Sequence, residues 1–316
     1  MAYKMFLDCD PGLDDALALL LAHGDPEIDL VAVTAVSGNV GLADTMRNAL
    51  SLREFLGFPG VEVAAGAAAP LLRQPLHVPH LHGEGGLGAL SLPAPRLPPS
   101  PRHASDLLIE TLRANPGAVH LVATGPLTNI ALALAKDPGI AELVASFTVM
   151  GGSFSRGNVT PAAEFNIFVD PEAAKIVFAA GWEVTMVGLD LTRQARATPT
   201  VLTRFTELGD LGKELVVPLA TYLAKHDSVD GGGQILHDVC AVAYVSRPDL
   251  FSSRRAGVDV ETAGTLTAGM TVVDFRSTRP NAVVPTTLDT DGFWDYVTGC
   301  YANVAARFPA DGLSPA

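Results

Sequence analysis

The chain has 316 residues, 48% of them apolar, and a mean hydropathy of +0.29, which is ample for a substantial buried core. A formal net charge of −13 and a pI near 4.9 argue against nucleic acids and anionic membranes as partners, because these are bound through clustered Lys and Arg. The first apolar run is cut by Asp8, too early for a secretory leader, and the run Ala16 to Ala22 is too short to cross a bilayer.

Taken in chain order, short apolar runs alternate with helical patterns. Lys4 to Cys9 reads as a strand, Asp14 to His23 as a helix, Leu30 to Val36 as a strand, Leu42 to Leu56 as a helix and Val61 to Ala65 as a strand. The alternation resumes with helix Ser105 to Arg113, strand Val119 to Ala123, helix Pro126 to Ala135, strand Val144 to Met150, helix Pro171 to Ala180 and strand Glu183 to Val187. This is the pattern of an α/β fold, a mostly parallel Rossmann-like central sheet flanked by helices. Pro70 to Pro101, rich in Pro, Gly and His, is too long for an ordinary connection and reads as a lid or binding loop; Gly151 to Asp170 is a second excursion and 226–234, with three consecutive glycines, a third. Apolar helix Val239 to Val245 follows, then a hairpin from Arg255 to Thr262 and Met270 to Phe275, strand Ala282 to Leu288 and helix Phe293 to Arg307. No linker of low complexity and no internal repeat interrupts the chain, so a single domain over residues 1–316 is expected, with mobile loops near 70–101 and 226–234. Cys9, Cys240 and Cys300 lack C-x-x-C spacing and suggest neither disulfides nor a zinc knuckle; the reducing cytoplasm is the expected location.

In such sheets ligands gather beyond the carboxyl ends of the strands, where Asp10, Ser37 to Asn39, Thr124 and Gly151 to Ser153 all fall. Residues 8 to 15 read D-C-D-P-G-L-D-D. Helix capping explains one or two of these aspartates, since the first turn offers unpaired N–H groups and a favourable dipole. Four neighbouring carboxylates repel one another unless a cation or proton is shared, and an all-oxygen set suits Ca²⁺ or Mg²⁺ better than zinc. Far downstream, His237-Asp238 opens an apolar helix after the glycine-rich stretch, where both side chains could close on a ligand.

The string D-C-D-P-G-L-D-D-A resembles the signature of the inosine-uridine nucleoside hydrolase family. So do V-S-G-N at 36–39, H-G-E-G-G-L-G at 82–88, A-T-G-P-L-T-N-I-A at 123–131, M-G-G at 150–152, A-E-F-N-I-F-V-D-P-E-A-A at 163–174 and H-D at 237–238. The resemblance implies the nucleoside hydrolase fold with an eight-stranded-type core, a held Ca²⁺, and hydrolysis of ribonucleosides to base and ribose by a homodimer or homotetramer. It implies that Asp10, Asp15 and Asp238 supply carboxylates to calcium and Thr124 its carbonyl, and that Asp14, Asn39, Asn158, Glu164 and Asn166 hold the ribose hydroxyls. Turn formation is the competing role for Asn158 and Asn166. Asp8 receives no role from the resemblance and is expected to support its neighbours by hydrogen bonding.

The expected reaction is attack on the anomeric carbon by a calcium-bound water that Asp10 activates as general base, with inversion of configuration. His237 is the candidate acid for the departing base; His82 is the second candidate, or else a base contact. Phe165 is the expected aromatic contact with the nucleobase. Two other readings compete. A non-catalytic nucleoside-binding protein would keep the fold without the chemistry. A haloacid-dehalogenase-like phosphohydrolase would share the D-x-D strand end, but its pattern wants Thr or Val where Gly12 stands.

Overall fold

The computed structural model describes residues 2–224 and 234–308. The expected loop at 226–234 therefore lies outside the described residues except for Gln234. Among the described residues, nine strands form one sheet: β1 Tyr3–Cys9, β2 Ile28–Ala35, β3 Glu62–Ala65, β4 Val119–Ala123, β5 Val144–Met150, β6 Val184–Val187, β9 Phe251–Val260, β10 Thr271–Asp274 and β11 Ala282–Leu288. Two short strands, β7 Arg196–Ala197 and β8 Gln234–Ile235, pair separately as an antiparallel ribbon.

The spatial order is β10-β9-β11-β6-β5-β4-β1-β2-β3, parallel from β3 through β11 and antiparallel at β9 and β10. The expected mostly parallel α/β sheet is present, with nine strands where the resemblance implied eight. The 255–275 hairpin expected from the sequence forms its antiparallel edge.

Parallel strands need both faces covered, and β1 shows how the sequence meets that demand. Met5, Leu7 and Cys9 belong to one apolar layer and Phe6 to the other, all fully buried. The first layer packs under helices Leu13–Gly24, Leu42–Phe55, His237–Ser246 and Thr290–Ala305; the second under Ala104–Ala114, Thr128–Lys136 and Pro171–Phe178. Tyr301 locks the first layer by donating its hydroxyl to the Leu17 carbonyl at 3.0 Å.

Strand order reverses direction at β1 and β4, which are adjacent in space with Asp8 opposite Ala123. A crevice opens at such a switch point because the helices that follow the two strands go to opposite faces. Asp10 and Thr124 are the residues that emerge there. Helix Leu13–Gly24 also packs beside His237–Ser246, so the helix starts carrying Asp14-Asp15 and His237-Asp238 meet at the same sheet edge.

The long segment after β3 is bound down at several points. Leu71 N–H donates to Asp170 at 2.9 Å, Arg73 pairs with Glu172, Val78 N–H donates to the Asn39 carbonyl at 3.0 Å, and Ser100 N–H returns to the Val63 carbonyl at 2.8 Å. It contains one short helix, Pro79–His82.

Candidate active site

Pro11 and Gly12 turn the chain from β1 into the helix Leu13–Gly24, with Asp15 capping it: its Oδ2 accepts from Gly12 N–H at 3.0 Å. Capping thus accounts for one carboxylate oxygen. The other, Oδ1, accepts from the Thr124 hydroxyl at 2.9 Å, linking the β1 and β4 ends. Ligand oxygens of Asp14, Asp15 and Asp238 lie within 4.8 Å of one another, all three side chains buried. Asp10 adjoins this trio. Its Oδ2 accepts from Asn39 N–H at 2.7 Å, and the Asn39 side-chain amide bridges the Asp10 carbonyl (3.2 Å) and Asp15 (3.3 Å). Asp10 Oδ1 is buried with no hydrogen-bond partner among the described residues.

Burial, followed by repulsion among the carboxylates, raises the proton affinity of Asp10 and Asp238 well above the ordinary range and that of Asp14 to a pKa of about 7. Burial likewise raises Asp15, against the bonds from Gly12 and Thr124. The start of the helix Leu13–Gly24 points N–H groups at this cluster, Gly12 N–H among them, and offsets part of the cost. Asp8 stands apart, turned toward β2 and the helix Thr128–Lys136. It accepts from the Thr34 hydroxyl at 2.5 Å and the Asn129 amide at 2.7 Å, and Asn129 also receives Ala67 N–H at 2.8 Å.

Glu164 is fully buried and caps the helix Phe165–Val169, accepting from Asn166 N–H (3.0 Å), Ile167 N–H (3.2 Å) and Gly152 N–H (3.0 Å). Burial lifts its pKa to about 7 against those bonds. Asn166 donates from its amide to the Thr124 carbonyl at 2.8 Å and the Met150 carbonyl at 3.2 Å. Asn158 is exposed, its Oδ1 accepting from Phe165 N–H at 2.9 Å, so turn formation engages that oxygen; Phe165 itself is half-buried. His82 is buried; its Nδ1 accepts from Leu13 N–H at 3.2 Å, and burial drives its pKa down to about 3. A ring held neutral in this way is poorly suited to deliver a proton. His237 is half-buried, close enough to His82 to contribute to that depression, and its Nδ1 lies 2.7 Å from the Thr192 hydroxyl.

The model of the family described as inosine-uridine preferring nucleoside hydrolase matches residues 5–295. The chain belongs to this family. It is 45% identical over 304 residues to the inosine-uridine preferring nucleoside hydrolase of Crithidia fasciculata, covering 94% of this chain and 96% of that one. It is 42% identical over 301 residues to the pyrimidine-specific ribonucleoside hydrolase RihA of Klebsiella pneumoniae, covering 93% and 97%. Among solved structures, a purine-preferring ribonucleoside hydrolase from Gardnerella vaginalis superposes with a TM-score of 0.90 at 32% identity, covering 96% of this chain and 99% of that one.

For a nucleoside hydrolase, a metal-dependent kind of enzyme, the site chemistry suits a hard divalent cation. The ligand cluster found among the described residues is made of carboxylates alone, and Asp10 Oδ1 is a buried acceptor without a hydrogen-bond partner among the described residues. Residues outside the motif strings also brace the nucleoside hydrolase site. Asn48, mid-helix, donates to the carbonyls of Pro11 (3.0 Å) and Gly85 (2.8 Å), fastening the 82–88 motif onto the Pro11-Gly12 turn. After β6, Asp190 receives Phe154 N–H at 2.6 Å, and Arg193 donates to the carbonyls of Arg156 (3.1 Å) and Gly157 (2.9 Å), holding the loop that carries Asn158. These residues follow a strand's carboxyl end, the same signal that pointed to Asp10 and Thr124.

Proposed function

We propose that this nucleoside hydrolase, which cleaves ribonucleosides to free base and ribose, works with calcium held by Asp10, Asp15, Asp238 and the Thr124 carbonyl. The buried carboxylate cluster at the sheet's switch point carries this reading. When bound there, a calcium ion supplies positive charge that anchors a vicinal diol and acidifies water. Asp10 is the general base: Asn39 N–H fixes one carboxylate oxygen, and the other, buried and without a hydrogen-bond partner among the described residues, is available to take the proton of the attacking water. Asp14, Asn39, Asn158, Glu164 and Asn166 orient the ribose, and the carboxylates of Asp14 and Glu164 favour positive charge developing on the ring. Phe165 and His82 flank the base, and His237 donates a proton to it as the C–N bond breaks. Direct attack by water gives ribose of inverted configuration.

We further propose one domain over residues 1–316, supported by the two apolar layers sharing one sheet, and assembly as a homodimer or homotetramer, for which exposed Leu72, Leu266 and Val272 offer apolar surface. A nucleoside-salvage role in the cytoplasm accords with three buried free thiols. None of the described helices is long and apolar enough to cross a membrane.

The names of the relatives span purine and pyrimidine preference, so the test is a reducing-sugar assay over inosine, uridine, cytidine and adenosine, with and without chelator. Ribose release from at least one substrate, abolished by chelation and restored by Ca²⁺, is expected. No release from any of them would favour a nucleoside-binding protein, and full activity in metal-stripped protein would remove calcium from the mechanism.

A further inference from the structure

Thr192 closes the short helix Leu189–Thr192 that follows β6 and is fully buried. Helical threonines in this protein commonly satisfy their hydroxyls on their own helix: Thr111, Thr203, Thr206 and Thr221 each donate to the carbonyl four residues back. Thr192 instead meets His237 Nδ1 at 2.7 Å, across 45 residues of sequence. The backbone around the pair is built to hold that meeting. Ala195 N–H bonds the Thr192 carbonyl at 2.9 Å, and Leu236 N–H bonds the Ala195 carbonyl at 3.2 Å. Beyond them β7 pairs with β8, Arg196 opposite Ile235 and Ala197 opposite Gln234. The ribbon therefore registers the residue before His237 onto the residues just after Thr192. On the other side, Leu189 N–H bonds the Gly152 carbonyl at 2.9 Å, so the hydroxyl is mounted on the β5 and β6 strand ends.

We propose that Thr192 is the positioning residue for His237, turning the imidazole so that Nε2 is the nitrogen that serves the leaving base. This rests on the assignment of His237 as the acid. In the step it supports, the C–N bond electrons pass to the base nitrogen, which takes the proton from Nε2, while Nδ1 keeps its hydrogen toward the Thr192 hydroxyl. A side chain anchored at one ring nitrogen loses the rotamer freedom that would otherwise misdirect the other.

The experiment compares Thr192→Val, which keeps the shape without the hydroxyl, with Thr192→Ser, which restores it, and with His237→Ala. Each is assayed on the best natural nucleoside and on a riboside with an activated phenolate leaving group, which departs without a proton. Losing one orienting hydrogen bond predicts a fall in kcat of about tenfold on the nucleoside for Thr192→Val, with KM little changed. The phenolate riboside loses less than twofold, and Thr192→Ser recovers most of the nucleoside activity. Equal losses on both substrates, or nucleoside kcat within twofold of wild type, overturn the positioning role. If His237→Ala falls on the nucleoside and Thr192→Val does not, the acid assignment stands without Thr192. If His237→Ala keeps normal nucleoside turnover, the acid assignment and this inference fall together.

Discussion

Replacing Gly38 with alanine tests how closely Asp10, the proposed general base, is packed. A Cβ at Gly38 would lie 2.0 Å from Asp10 Oδ2 and 2.8 Å from its Cγ, about 1 Å inside the closest approach that real side chains make. Gly38 is not among the glycines with positive φ, so alanine meets no backbone objection and the collision itself must be relieved. Asp10 has little room to retreat, because a Cβ built at Gly125, on its other flank, would lie 2.8 Å from Oδ1. The carboxylate therefore moves by about 1 Å, and a displacement of that size in a reacting group costs on the order of 100-fold in rate. Steady-state ribose release should show kcat falling by about that factor, while circular dichroism remains that of the folded protein. Gly299→Ala is the control. It lies in the helix Thr290–Ala305 with nothing within 4 Å of the added carbon, so turnover should stay unchanged and stability rise by about 0.5–1 kcal/mol. Gly38→Ala with kcat within threefold of wild type would refute the claim that Asp10 is held where the structure puts it and needed there.

Two further outcomes test the surroundings of the site. Asp170 is fully buried and accepts from Leu71 N–H (2.9 Å), the Thr128 hydroxyl (2.7 Å) and Ala173 N–H (3.0 Å), so Asp170→Ala strands the buried Thr128 hydroxyl and the half-buried Leu71 N–H and removes a helix cap. A loss of about 3 kcal/mol is expected by urea denaturation, and under 1 kcal/mol would contradict this accounting. His82 has a pKa of about 3 when folded against the usual 6.5, so between those values the unfolded chain binds a proton that the folded one refuses. Its contribution to stability is complete above about pH 6.5 and is lost as pH falls toward 3. His82→Gln should flatten that part of the stability–pH curve, and parallel curves for the two proteins would show that His82 does not titrate this way.

Much of the sheet was legible because its strands are uninterrupted apolar runs bounded by turn residues. Val119–Ala123, Val144–Met150 and Ala282–Leu288 fall where the pattern puts them. The stretch from 188 to 224 was not, since Pro199, Gly209 and Gly212 break it into pieces too short to show a period. Strands of two residues, such as β7 and β8, leave no pattern at all. The same division holds at the site. The aspartates stood out because clustered carboxylates are costly without a purpose, and the motif strings named their companions. Asn48, Thr192 and Arg193 escaped notice because a single polar residue declares nothing until the fold supplies its partner, which for Thr192 is 45 positions away.

The ribbon of β7 and β8 fixes where the helix His237–Ser246 starts. Because β8 is tied to β7 just before His237 begins its helix, the register of His237 and Asp238 is set by residues 196–197, some forty positions earlier in the chain. A helix start fixed in this way can be kept in one architecture shared by relatives named for purine and for pyrimidine nucleosides.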